Sequence, residues 1–378
     1  MNLLVKDKCF YKKMAVIAIP ISLQSMITIG VNMTDTVMVG KLGETSLSAT
    51  ALANQFVNIY QICCMGIAMG ASVLTSRFWG MQDITSLKKT ITLMLRLCIV
   101  LAVLFMLPTI LIPQLLMRMY TGDSAVIAQG VQYFKWMVYC YFLQGMTMTC
   151  TIVLRSVGQV NFPLFTSIGS FFVNILFNYM FIFGKLGVPR MEVEGAGVGT
   201  LIARVFEFSL ICGYFLFVDR KIGYRLKDLR MKCNSLIKDY VSISIPVFVS
   251  DSLLALGTSA VAMVMGRVGT GFVSANSITV VTQQLTTVVI QGICHAGCIM
   301  TGHTLGHGER EKAQQQAWTF LILGLADNLH IAVFYAVVNH LYKVTRAVFA
   351  DPIAAGRAVI NLCTDCGENR FDYFPRRL

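Results

Sequence analysis

Charge is what this chain lacks. Of its 378 residues only 13% are Asp, Glu, Lys or Arg, against 56% hydrophobic, too few charges to cover a soluble globular surface. Acids are the scarcer sign: 19 Asp plus Glu face 31 Lys plus Arg, for a net charge of +12. That excess does not point to nucleic acid, which needs a dense basic face on a soluble fold, because the cations sit in short clusters between apolar runs. Catalytic signatures are missing as well. No acids cluster at a membrane face, His303 and His307 lack the glutamate of a zinc-protease helix, and Cys363-x-x-Cys366 has no partner pair. Gly195 to Gly199 is glycine-rich but is placed in an outer loop with no strand before it, which argues against phosphate binding. Neither an enzyme nor a cofactor is expected. The twelve cysteines fall mostly inside apolar stretches, Cys63, Cys64, Cys98, Cys140 and Cys150 among them, where Cys behaves as a small hydrophobe. Free thiols are expected.

Long apolar runs are what the chain has in abundance. About 20 residues at 1.5 Å each cross the hydrocarbon core, and runs such as Thr45 to Ser76, Leu97 to Met117, Trp136 to Leu154 and Ser156 to Gly184 carry no Asp, Glu, Lys or Arg. Eight helices are predicted, at about 14–40, 50–76, 91–113, 131–154, 162–184, 196–218, 240–266 and 274–302, with a ninth beginning near Ala313. The first follows Lys6, Lys8, Lys12 and Lys13 as a signal peptide would, but it is too long for a signal core and no cleavage pattern follows. Loop cations divide seventeen to five, the minority being Lys41, Arg118, Lys185, Arg190 and Arg267. By the rule that inner loops are basic, the N-terminus is cytoplasmic in a multi-pass protein of the cell membrane. The asymmetry accounts for the net charge without any nucleic-acid partner.

The chain also repeats itself. Adding 226 to a residue number places Pro20 on Pro246, Gly40 on Gly266, Gly43 on Gly269, Ser48-Ala49 on Ser274-Ala275, Gly66-Ile67 on Gly292-Ile293, Thr75 on Thr301 and Gly80 on Gly306, without a gap. Six spans separate the copies, and six is even, so both enter the bilayer in the same direction. The predicted fold is an all-α polytopic membrane protein of two parallel six-helix repeats related by a pseudo-two-fold axis along the membrane normal, with a substrate path between them. The second repeat is incomplete. Leu95 and Leu97 still match Leu321 and Leu323, but the apolar run Ile99 to Met117 has Leu325-Ala326-Asp327-Asn328 as the start of its counterpart. A truncation or frameshift near Gly324 is therefore expected. The divisions are a basic N-terminus (1–13), a six-helix lobe (14–218), a basic linker (219–239), an incomplete lobe (240–324) and an aberrant tail (325–378).

In this order and spacing, Pro20-Ile-Ser-Leu-Gln24, Asp35-Thr-Val-Met-Val-Gly40-Lys-Leu-Gly43, Asn174-Ile-Leu-Phe-Asn178-Tyr and Gly195-Ala-Gly-Val-Gly199-Thr200 resemble the multidrug and toxic compound extrusion (MATE) family over about residues 10 to 323. The resemblance implies a cation-coupled antiporter with twelve helices in two lobes, of which this chain lacks about three. It implies export of an organic, cationic amphipathic compound driven by H+ or Na+. Alternatives are a non-transporting remnant and a lipid-linked sugar flippase of the same superfamily, which would need a more cationic cavity. A monomer in lipid is expected.

Asp35 is the lone acid of the first span. An ionised carboxylate within the membrane is costly, so its proton or cation occupancy becomes a switchable state. Asn32, one turn earlier, is placed to orient it. Asn174 and Asn178 leave one face of the fifth span, and the resemblance implies that they join Asp35 in a cation or proton site with Thr200 nearby. The alternative for the same asparagines is interhelical hydrogen bonding that only holds the bundle. Asp251 is the lone acid of the seventh span and a candidate second-lobe cation site. Its repeat mate is Ser25, whereas that of Asp35 is Val261. Gln283 and Gln284 either line the cavity or stitch helices together. Arg204 and Glu207, three apart, are expected to pair. No metal site is expected beyond Na+ at Asp35 or Asp251.

Overall fold

The structure is a computed structural model. It describes residues 4–326 apart from 6, 186 and 269, without the side chains of 234, 235, 255, 262, 263, 265–283, 285 and 286. Most of the tail set apart above, with Cys363 and Cys366, lies outside the described residues.

Helices occupy α1 (Lys8–Gly40), α2 (Glu44–Gly80), α3 (Ile84–Leu111), the short α4 (Pro113–Arg118), α5 (Ser124–Ser156), α6 (Asn161–Phe183), α7 (Glu192–Gly213, prolonged by a π turn at Tyr214–Val218), α8 (Asn234–Val268) and α9 (Thr270–Gly306). A further helix begins at residue 310. Eight of these are long and apolar enough to cross a membrane, and no strand occurs among the described residues. All eight predicted spans are present. Several start earlier than the charge-free windows, because aspartates cap them: Cys9 N donates to Asp7, Ser86 N to Asp83 and Ala125 N to Asp123, each using an otherwise unpaired first-turn amide. Exposed faces carry Val100, Leu104, Leu107, Phe165, Phe172 and Leu176, as hydrocarbon surroundings require. Every cysteine among the described residues is a free thiol.

Buried aromatic residues fill the first lobe. Tyr60 of α2 stacks edge-on against Tyr141 of α5 and donates its hydroxyl to the Tyr141 carbonyl at 2.5 Å. The Gly195 to Gly199 segment lies inside α7, as the predicted span 196–218 has it, and not in the outer loop where the glycine run was also placed. Small residues there let α7 settle on α6: a methyl added at Gly195 would sit 2.6 Å from the Phe181 carbonyl carbon. Within a membrane such close approach takes the place of the hydrophobic effect as the cohesive force.

The repeat is visible atom by atom. At the turn after α2, Met81, Gln82, Asp83 and Ile84 donate their amides to Arg77, Trp79, Phe78 and Gln82; 226 positions on, His307, Gly308, Glu309 and Arg310 donate to His303, Leu305, Thr304 and Gly308. Residues related by the same offset also meet each other. Cys298 Sγ lies 3.9 Å from Ser72 Oγ, a methyl on Gly302 would meet Ser76 Cβ at 2.5 Å, and one on Gly306 would meet Gly80 Cα at 2.8 Å. Only positions on a two-fold axis touch their own mates, so α2 and α9 flank that axis. Flanking contacts are reciprocal: a methyl on Gly66 would press on Phe248 Cα at 2.9 Å, and one on Gly292 on Ser22, the mate of Phe248.

These contacts lie toward one end of the bundle, where the basic segments also gather. His303 Nε2 pairs with the Ser156 carbonyl at 2.7 Å, and Val5 N donates to Thr319 at 3.1 Å. The linker is strapped to α3: Lys88 meets Asp228 at 3.0 Å, Arg96 donates to the Leu229 carbonyl at 2.7 Å, and Thr92 bonds Tyr224 at 2.9 Å. Toward the other end the helices part around a cleft.

Candidate functional site

The outer half of α1 forms one wall of the cleft. Pro20 leaves a gap in the α1 hydrogen-bond ladder, and polar side chains then anchor the helix to the lobe at two levels. Near the basic end, Arg155 donates to Gln24 Oε1 at 2.5 Å and Gln24 donates to Ser167 at 2.9 Å, all three buried. Some three turns further along α1, Asn178 of α6 donates to Asp35 Oδ1 at 2.6 Å and shares the same amide nitrogen with Asn174 Oδ1 at 3.2 Å. Asn174 and Asn178 are buried and Asp35 is half-buried, so one carboxylate faces the cleft with a fixed amide donor behind it. The donor is fixed because α7 backs it. Gly199 stands against Asn178 Oδ1, and any side chain there would displace the amide.

The cleft has a volume of about 460 Å³ and is lined by α1, α2, α5, α6 and α7 with Gln284 from α9. Asp35, Asn32, Asn174, Thr200 and Gln284 all border it. Asn32 is exposed to the cleft and makes no described hydrogen bond to Asp35; Asn178 is the residue that orients the acid. Gln283 lies outside the described side chains. Asp251 sits elsewhere, on α8 facing α2, where a methyl on Gly66 would be 3.5 Å from its Oδ2, and it is absent from the cleft wall. Arg204 and Glu207 pair at 2.8 Å as expected, and both also border the cleft. Asp35 is thus the one lining charge without an ionic partner among the described residues.

The sequence reading missed the α2 wall. Thr50, Asn54, Gln55, Asn58 and Gln61 line the cleft, and Tyr133 donates to Asn54 Oδ1 at 3.2 Å. A signal was available: amides at 54, 58 and 61 recur at helical spacing inside the charge-free Thr45 to Ser76 run.

Comparison with known proteins agrees with this architecture. The chain is 24% identical over 354 residues to the "Probable multidrug resistance protein NorM" of Bradyrhizobium diazoefficiens, covering 91% of this chain and 73% of that one. A protein of the same name from Agrobacterium fabrum is 24% identical over 312 residues, 79% of this chain and 64% of its own length, so the chain spans under two thirds of that relative. Among solved structures, the Vibrio cholerae MATE transporter VcmN has the same fold, with a TM-score of 0.77 at 17% identity, over 92% of this chain and 77% of that one. The family model for MatE matches twice, over residues 20–180 and 246–346. The second match continues into the stretch 325–378 set apart above. The two matches begin 226 residues apart, the offset of the internal repeat, and together they cover well over half the sequence: the chain belongs to the MatE family.

Proposed function

We propose that this chain is a secondary transporter that exports organic, cationic amphipathic compounds across the cell membrane by antiport with H+ or Na+. The carrying observation is Asp35, a carboxylate on the cleft wall with no ionic partner among the described residues, held by Asn178, whose amide nitrogen also donates to Asn174. A carboxylate in that setting binds either a small cation or a cationic cargo, and competition between them is what antiport needs. Basic segments at the sealed end support a cytoplasmic N-terminus and, with it, an outward-facing reading of the described conformation. Rocking of the lobes about the α2 and α9 axis would open the other end. Inward movement of one positive charge through 100 mV supplies about 2.3 kcal/mol, enough to bias the cycle well over tenfold. The names of the relatives, multidrug resistance proteins, support the cargo class.

A flippase for lipid-linked sugars would call for a cationic cleft. The one cationic residue described in the lining is Arg204, and Glu207 neutralises it. Lipid surrounds the exposed apolar faces, and a single chain holds the whole described site, so a monomer suffices. Ethidium efflux from vesicles tests the reading: wild-type protein should move the dye and Asp35→Asn should slow the movement at least about tenfold. A well-inserted wild-type chain that moves no dye would instead mark a non-transporting relative.

A further inference from the structure

The α2 wall carries a ladder of amides that ion coupling does not use. Asn54, Asn58 and Gln61 follow one another at spacings of four and three residues, a stripe about 10 Å long on the cleft face. Asn54 is turned by the Tyr133 hydroxyl, while Asn58 and Gln61 make no hydrogen bond to another described residue. The second copy contributes to the same lining through Gln284, which is the repeat mate of Asn58, so amides stand on both lobes. Charge is sparse by comparison. With Arg204 paired to Glu207, only Asp35 among the described lining residues offers a net charge, and it lies on α1 rather than on this ladder.

An amide presents a donor and an acceptor together, so a row of them matches a ligand that alternates the two. Hydroxyls of a sugar do so. A purely apolar cation offers neither, and pressing it against the ladder would strip water from the amides without replacing its hydrogen bonds. Sites built to hydrogen-bond a ligand discriminate strongly against analogues that cannot respond. Resting on the transport reading above, we infer that the α2 ladder is a cargo subsite for a neutral polyhydroxyl arm, and that the cargo is a glycosylated organic cation. Its cationic centre faces Asp35 and its sugar lies along Asn54, Asn58 and Gln61, with Gln284 opposite.

The test is calorimetric binding to the purified full chain in nanodiscs, with methyltriphenylphosphonium and the same cation bearing a glucosyl arm as probes. Wild-type protein should bind the glucosylated cation about tenfold more tightly or better. The double variant Asn58→Leu/Gln61→Leu should erase that preference, weakening the glucosylated cation and tightening methyltriphenylphosphonium if it moves it at all, and Asp35→Asn should weaken both probes alike. Asn58 is exposed to the cleft, so Asn58→Ala alone keeps the packed core intact and should still cut the preference about threefold or more. Equal wild-type affinity for the two probes, or a preference that survives both ladder variants, overturns the subsite and leaves the transport reading standing. If neither probe binds wild-type protein, both fall together.

Discussion

The two copies of the repeat agree where the lobes touch and disagree where a ligand would sit. Ser72 meets Cys298, Ser76 meets Gly302 and Gly80 meets Gly306, each residue against its own mate. Toward the open end the chemistry diverges. Asp35 has Val261 as its mate, and Val261 is exposed; away from the cleft, beside Gly66, Asp251 likewise has no acid for a mate but Ser25. Packing along a two-fold axis constrains both copies at once, because each contact residue is its own partner's neighbour. A binding site needs a charge only once, so the second copy was free to lose it. The sealed end is thus the symmetric part of the molecule and the cleft its asymmetric part.

The sharpest way to break this comparison is to exchange the acids' roles. Asp35→Asn removes the cleft's unpaired charge and weakens a charge-assisted hydrogen bond from Asn178, an interaction worth about 1.5–3 kcal/mol. Coupled dye efflux should fall by about ten- to a hundredfold. Asp251 faces Gly66 in the α2 and α8 seam and has no such amide clamp among the described residues, so Asp251→Asn should cost efflux less than about tenfold. Equal losses in the same vesicle assay would mean that both copies carry coupling sites, and the asymmetry argued here would be wrong.

Symmetry at the sealed end predicts matched damage. Gly66→Val and Gly292→Val insert side chains at reciprocal contacts, against Phe248 and Ser22 respectively. Overpacking of this kind costs about 1–3 kcal/mol, and the two variants should lower the thermal midpoint in detergent by similar amounts. Cysteine-labelling of Ser76→Cys should rise in both backgrounds, since that residue is fully buried in the packed seam that the added side chains would disturb. A loss confined to one variant would show that the two seams are not equivalent.

Much of the fold was legible because the membrane imposes a coarse code. A charge-free run near 20 residues long can be little other than a span, and the 226-residue offset needed only glycine and proline to be seen. Helix ends were not legible from charge, because Asp7, Asp83 and Asp123 lie outside the apolar windows yet cap the helices. Gly195 to Gly199 was misplaced for a related reason. Glycine disfavours an isolated helix, and only the close approach to Phe181 explains why it is helical here. In the site, spacing put Asn174 and Asn178 on one face, but nothing in a linear pattern joins them to Asp35, 143 residues away from Asn178. The α2 amides were readable and went unread. Which way Asp251 faces depends on how α8 rotates against α2, which no periodicity in its own helix reports.

The smallest effects are expected at the repeated turn, where the backbone is the same and the side chains differ. Asp83 caps α3 by accepting from Ser86 N at 3.0 Å, whereas its mate Glu309 reaches out to Lys312 at 3.0 Å in an exposed pair of little worth. Removing the cap with Asp83→Ala should cost about 0.5–1 kcal/mol, and shortening Glu309→Asp should add about 0.5 kcal/mol by creating the missing cap. One position earlier, Gln82 holds φ at 59° where the second copy has Gly308 at 85°, so Gln82→Gly should relieve left-handed strain by about 0.5–1 kcal/mol. The Ser86 hydroxyl and amide beside Asp83 hold its carboxyl below its ordinary value of 3.8. A depressed folded value means the cap stabilises fully above 3.8 and fades as pH falls through the folded value. The gap in thermal midpoint between wild type and Asp83→Ala should therefore be constant at neutral pH and close in acid. A gap that persists in acid would mean that the turn, and not the ionised cap, carries the difference between the copies.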